Sequence, residues 1–193
     1  MAPETEIPSE EELIRKSKRG DRQAFGRLVE RYQDQVYTLA CRTLGDVHLA
    51  EDVSQEAFIR AWRAVARFEE KAKFSSWLYR ITLNACFSEL RRRNKPVDQV
   101  TQDELGYLKI LNVQTVAADT TIERRDLVEK LIAGLPPVYR SIVVLFYLQE
   151  LNCNEISSVL GRPVGTVKAY LHRARAQLRK NAEHLLKTRS LSK

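Results

Sequence analysis

The 193 residues contain little of what metal sites, secreted domains and membrane spans are built from. Only three cysteines are present, Cys41, Cys86 and Cys153, far apart and each in an apolar setting. No CxxC spacing exists, which removes a structural zinc site, and an odd, scattered set makes no disulfide framework. They read as buried, reduced thiols. The three histidines are equally scattered, so neither metal nor cofactor is expected. Paired catalytic carboxylates, a phosphate-cradling Gly loop and a nucleophile signature are all missing, which argues against an enzyme. No apolar run approaches the ~18 residues of a membrane helix. The start, MAPETEIPSEEE, is acidic and Pro-bearing where a signal peptide would be basic and then apolar, so the chain is expected in the cytoplasm. Glycine and proline are few, and β-branched residues never alternate with polar ones over a long run. An all-α protein follows.

What the chain does have is charge, laid down in blocks. The net charge of +7 divides into −4 over residues 1–57, +7 over 58–95, −4 over 96–161 and +8 over 162–193. Two sharply bounded basic blocks in an otherwise slightly acidic chain suggest two contacts with one polyanion.

Apolar periodicity places these blocks on helices. Spacings of three and four predict helices over Glu11–Arg19, Arg22–Leu44 and His48–Val65. A fourth runs from Ser75 or Ser76, either of which could cap it, to Arg93. The stretch from Asn94 to Thr121 holds no sustained period and reads as a flexible linker. Helices return over Ile122–Ala133 and Val138–Gln149. Then come a short helix ending at Gly161 and a basic one over Val164–Leu186, a helix-turn-helix pattern.

Winding residues 164–180 at about 100° per residue gathers Val167, Leu171, Ala174 and Leu178 on one buried arc. Ala169, His172 and Arg173 point away, with Thr166, Lys168 and Tyr170 on the flanks. Small residues Gly165 and Ala169 allow the close approach that a major-groove helix needs. Arg173 is the first candidate for reading a base, Lys168 for a base or a phosphate, and Arg175 for the backbone. The first turn, Thr166 included, offers amides to a phosphate. In the third helix Glu51, Asp52, Gln55, Glu56 and Arg60 lie opposite the apolar arc. That acidic face would repel DNA and suits a basic coiled coil. Next, Phe68, Lys71, Lys73, Phe74, Trp77, Tyr79 and Arg80 interleave rings and cations, as single-strand binding requires. Arg91, Arg92 and Arg93 end the fourth helix, more cations than its dipole accounts for.

The stretch LPPVYRSIVVLFYLQELNCNEISSVLGRPVGTVKAYLHRARAQLR resembles the C-terminal promoter-reading domain of bacterial sigma factors, in the extracytoplasmic-function (ECF, group 4) branch of the sigma-70 family. HLAEDVSQEAFIRAWRA resembles the helix that binds the polymerase clamp, and FSSWLYRITLNACFSELRRR the segment that melts and reads the −10 element. The resemblance covers about Asp21–Arg93 and Ile122–Lys180. It implies a factor without catalysis that binds core RNA polymerase and directs promoter-specific initiation in a stress response.

The implied domains are an N-terminal segment partly disordered over 1–20, sigma region 2 over 21–94, a linker over 95–121, sigma region 4 over 122–187 and a tail over 188–193. The implied −35 contacts are Thr166, Lys168, Ala169, Tyr170, His172, Arg173 and Arg175. The −10 contacts are Phe68, Lys71, Lys73, Phe74, Trp77, Arg80, Asn84, Arg91 and Arg92, with Asn84 and the 68–74 loop capturing a flipped base. Core polymerase would meet Glu51, Asp52, Gln55, Glu56 and Arg60 through its β′ clamp, and its β flap would be a second contact. The acidic linker would thread near the polymerase active site, and the free protein would bind duplex DNA weakly. An anti-sigma factor, often membrane-anchored, is a further implied partner. Two departures matter. Ala169-Tyr170 stands where the family often has Ser-Arg, so relatives' −35 sequences do not transfer. Ser157 replaces a frequent Ala, and is tolerated there if its hydroxyl bonds the preceding turn.

Overall fold

A computed structural model describes residues 8–93 and 120–190, apart from the side chains of 120–126 and 184–190. The expected linker and the extreme ends lie outside the described residues. Two helical units are seen. The first holds α1 (Glu10–Lys18), α2 (Arg22–Leu44), α3 (Val47–Ala64), a single 3-10 turn at Val65–Arg67 and α4 (Phe74–Arg93). The second holds α5 (Thr120–Ala133), α6 (Pro137–Tyr147), α7 (Cys153–Leu160) and α8 (Val164–Ser190).

Local chemistry fixes the boundaries. The Ser9 hydroxyl caps α1 at the Glu12 amide, and Asp21 caps α2 by accepting from the Gln23 and Ala24 amides. Gly45 ends α2 in the left-handed region at φ 71°, where a side chain would be strained. Asp46 then caps α3 through the Leu49 amide at 3.0 Å. The expected serine cap of α4 is corrected: the helix already starts at Phe74, so Ser75 and Ser76 lie within its first turn. Phe74 enters early because its ring is drawn into the core.

That core is aromatic. Phe25, Tyr32, Phe68 and Phe74 are buried, with Trp62 and Trp77 packed against them. The Phe68 and Phe74 ring centres are 5.6 Å apart at right angles, and Trp77 lies 5.0 Å from Phe68. A second cluster, with Ala40, Leu44, Ala50, Val53, Ala85 and Cys86, seals α2 to α3 and α4. Burial pushes the Cys86 thiol up to about 12, which keeps it an inert apolar group.

The two units share a third cluster. Leu39, Tyr79 and Leu83 of the first pack with Ile142, Val144, Leu145, Ile156, Val159 and Val167 of the second. Polar contacts follow the seam. Tyr79 Oη donates to Gln149 Oε1 at 2.7 Å, Lys73 Nζ meets Glu155 Oε1 at 2.8 Å, and Arg42 meets Glu129 at 3.3 Å. Burial raises the Tyr79 hydroxyl to about 12, so it is a donor at any neutral pH. Nothing in the sequence pattern separates this seam from an ordinary helix face.

Arg140 is the unusual member of the second unit. It is fully buried, and burial lowers its guanidinium to about 10, still charged near neutral pH. Nε donates to the Leu135 carbonyl at 2.7 Å, Nη2 to the Ala133 carbonyl at 2.7 Å, and Nη1 reaches the Thr43 carbonyl at 3.5 Å. One side chain therefore satisfies the end of α5, the turn after it and the last turn of α2.

Candidate nucleic-acid and polymerase interfaces

The helix-turn-helix is assembled from α7 and α8. Asn152 Oδ1 accepts from the Asn154 and Glu155 amides, and Glu155 Oε2 accepts from the Asn152 amide at 2.9 Å, a reciprocal capping box. The other Glu155 oxygen holds Lys73, and these two bonds keep its carboxyl below the usual range. Gly161 closes α7 at φ 63°. The Ser157 hydroxyl does not bond the preceding turn. It donates forward to the Arg162 carbonyl at 2.5 Å, bracing the turn that sets α8 against α7.

Space around Gly161 is open, so alanine there meets no clash and is penalised only by the left-handed backbone. Gly161→Ala should therefore lower the stability of the folded chain by about 1–2 kcal/mol in urea denaturation. A change under a few tenths would contradict this reading of the turn.

On α8, Val167, Leu171 and Ala174 are buried and Leu178 half-buried, so the core face is the predicted one. Lys168, Ala169, His172, Arg173 and Arg175 are exposed, and Thr166 is half-buried. Lys168 and Arg173 form no ion pair among the described residues, which leaves both cations unneutralised. Tyr170 has a packing role as well. Its ring lies 5.7 Å from that of Tyr139 and it is half-buried, so it braces α8 on α6. Arg175 is also held: its Nε donates to Tyr147 Oη at 2.8 Å.

On α4, Arg80, Asn84 and Arg91 fall within a narrow arc at helical spacing, and all three are exposed. Lys71 and Lys73 stand in the loop before them, Lys71 paired with Glu69 at 2.8 Å and Lys73 with Glu155. One expectation is corrected. Phe68 and Phe74 are buried in the aromatic core and offer no free face to a base, while Trp77 is half-buried beside them. Their apolar rings stabilise the fold more by packing than by waiting exposed for a ligand. Arg92 makes two 2.8 Å bonds to Glu89, which also holds Arg93; Arg93 reaches Asp46 at 3.1 Å as well. Sequence reading missed Glu89, three and four residues back on the same face, a single carboxylate shared by these two cations, and Arg92 stays exposed beside it.

Arg92 and Glu89 instead line a groove of about 350 Å³ between α3 and α4, with Leu49, Val53, Asp52, Glu56 and Arg60. Glu51, Asp52 and Gln55 are exposed, and Glu56 accepts from Arg60 Nε at 2.8 Å. Of the five residues expected to meet polymerase, Asp52, Glu56 and Arg60 line this apolar-floored groove, and Glu51 and Gln55 stand outside it. Among the described residues no group is placed to hold a metal ion, and no helix is long and apolar enough to cross a membrane.

The sequence matches the Sigma-70 region 2 family over residues 28–95 and the Sigma-70, region 4 family over residues 125–178. It is 38% identical over 180 residues to the ECF RNA polymerase sigma factor SigW of Bacillus subtilis, covering 89% of this chain and 96% of that protein. This chain belongs to the ECF sigma factors of the sigma-70 family. The RNA polymerase sigma-H factor of Pseudomonas aeruginosa is 32% identical, with 92% of this chain and 96% of the relative covered. A solved structure of CnrH in complex with the cytosolic domain of CnrY aligns at a TM-score of 0.64 and 26% identity, covering 89% of this chain and 96% of that one. The fold is shared, at a TM-score of 0.66 and 22% identity, by the sigma factor RpoE solved with the anti-sigma factor NepR from Bartonella quintana, with 82% and 96% covered. The first unit therefore corresponds to region 2 and the second to region 4. As a sigma factor the protein serves transcription initiation, and its relatives are not enzymes.

Proposed function

We propose that this sigma factor reads the −35 element as duplex with α8 and holds the −10 element as melted strand along α4, in a stress response. The observation that carries the reading is the separation of surfaces. One unneutralised cationic face with small residues lies on α8, a second with Arg80, Asn84 and Arg91 lies on α4, and an acidic face lies on α3. Duplex and single strand place different demands on a protein, groove entry against backbone tracking, and the two cationic faces differ accordingly.

The α3 face and its groove are assigned to the β′ clamp of core polymerase, and the β flap to the second unit. The domain limits proposed are 21–94 and 122–187, joined by the 95–121 linker. An anti-sigma partner is supported by the NepR complex of the fold relative. The protein is proposed to act in the cytoplasm, held at the membrane only through such a partner.

The seam between the units bears on this mechanism. Elements named −10 and −35 lie about 25 base pairs, hence about 85 Å, apart along B-DNA. A compact chain of this length measures roughly 40 Å across. The Lys73–Glu155 and Tyr79–Gln149 contacts must therefore part before both elements are held together.

In permanganate footprinting with core polymerase, −10 thymines should become reactive only when the protein is added. Asn84→Ala should reduce that reactivity about tenfold, the order of one bidentate base contact. Wild-type reactivity from Asn84→Ala would remove Asn84 from the −10 site.

A further inference from the structure

Among the described residues, Arg175 is the cation of the α8 face held by a side chain of another helix. Its guanidinium carbon lies 5.4 Å from the centre of the Phe146 ring and 5.7 Å from that of Tyr147. The two rings meet edge to face, 5.0 Å apart, at the end of α6. Arg175 Nε donates to Tyr147 Oη at 2.8 Å, so the side chain is fixed by stacking and by one directed bond. An arginine has five N–H donors, and this bond engages the one nearest the stem. Among the described residues no bond is seen from the forked Nη edge, and Arg175 is exposed. Tyr147 is itself 50% exposed.

The placement of Arg175 on α8 gives this a direction. At about 100° per residue, Lys168, Arg175 and Arg179 fall within roughly 40° of one another, on one flank of the outward face. A flank stripe of cations beside a groove-entering helix is where a DNA strand's phosphates pass. A flexible arginine loses rotamer freedom when it grips a phosphate, and a pre-set one does not.

We propose that Phe146 and Tyr147 form an aromatic shelf that pre-sets Arg175 as a phosphate clamp, extending the duplex contact from α8 onto the end of α6. Tyr147 acts through Arg175 and is a positioning residue. The proposal rests on the −35 reading of α8, and adds to it a residue outside the helix-turn-helix that tunes affinity without reading sequence.

The test is a double-mutant cycle on holoenzyme made with core polymerase, reading promoter-fragment binding against salt. Wild-type holoenzyme must bind in a −35-dependent manner; if it does not, the underlying reading fails before the cycle begins. Arg175→Ala should reduce the salt slope by about one and weaken binding about tenfold. Tyr147→Ala should weaken it about three- to tenfold, as expected for losing a charged hydrogen bond and a cation–π contact. Tyr147→Phe, which keeps the ring, should recover part of that loss. In the Arg175→Ala background, Tyr147→Ala should have no further effect, and its effect alone should be the same on every −35 sequence. An equal loss from Tyr147→Ala in both backgrounds, a loss that varies with −35 sequence, or no loss at all would overturn the proposal. Thermal melting of Tyr147→Phe within 2 °C of wild type, about 1 kcal/mol or less, separates the clamp from a folding defect.

Discussion

Arg140→Ala should destabilise the protein by about 3–5 kcal/mol and lower its melting midpoint by roughly 10 °C. The side chain is fully buried and donates to carbonyls of Leu135, Ala133 and Thr43. Alanine leaves those acceptors inside without a partner, each costing about 1–3 kcal/mol, and opens a cavity as well. Water entering that cavity would offset part of the loss. Arg140→Lys keeps the charge but has no planar fork, so it should satisfy one or two acceptors and fall between the extremes. Because Thr43 belongs to the first unit, the variant should also loosen the seam, seen as faster exchange of amides at the end of α2. A loss below 1 kcal/mol would show that these bonds do not hold the second unit together.

Arg173→Ala should lower initiation from a preferred −35 sequence by about 5- to 150-fold, the value of one good bidentate base contact. Arg173 is exposed, points away from the Val167–Leu171–Ala174 core arc, and is unpaired among the described residues. The same substitution should change little on a promoter whose −35 element is scrambled, since the lost contact reads sequence. Lys168→Ala gives the contrast. As a phosphate contact it should weaken all promoters alike and flatten the salt dependence by about one. Equal losses from Arg173→Ala on matched and scrambled elements would move Arg173 to the backbone.

The residues most legible in sequence were those obeying a period. The helices of both units, the turn at Gly161 and the buried arc of α8 follow from spacing alone, because a helix must bury one stripe whatever its partner. Residue roles that depend on a partner from elsewhere were not legible. Phe68 and Phe74 looked like stacking residues beside lysines, yet Phe25 and Tyr32 of α2, Trp62 of α3 and Trp77 of α4 supply a better apolar site for them. The pairing of Arg92 with Glu89, one turn away, was equally illegible. The packing of Tyr170 on Tyr139 of α6 was not legible either. The seam escaped notice because Leu39, Leu83 and Ile142 are ordinary core residues of their own helices. Its polar pairs join residues 70 and more positions apart, as Tyr79 and Gln149 do.

The most direct measurement is transcription by purified core RNA polymerase over a promoter library, with and without this protein. The account predicts initiation only in its presence, from promoters sharing one −35 and one −10 sequence, and loss of activity when either element is scrambled. Failure to bind core, or initiation indifferent to both elements, would contradict it.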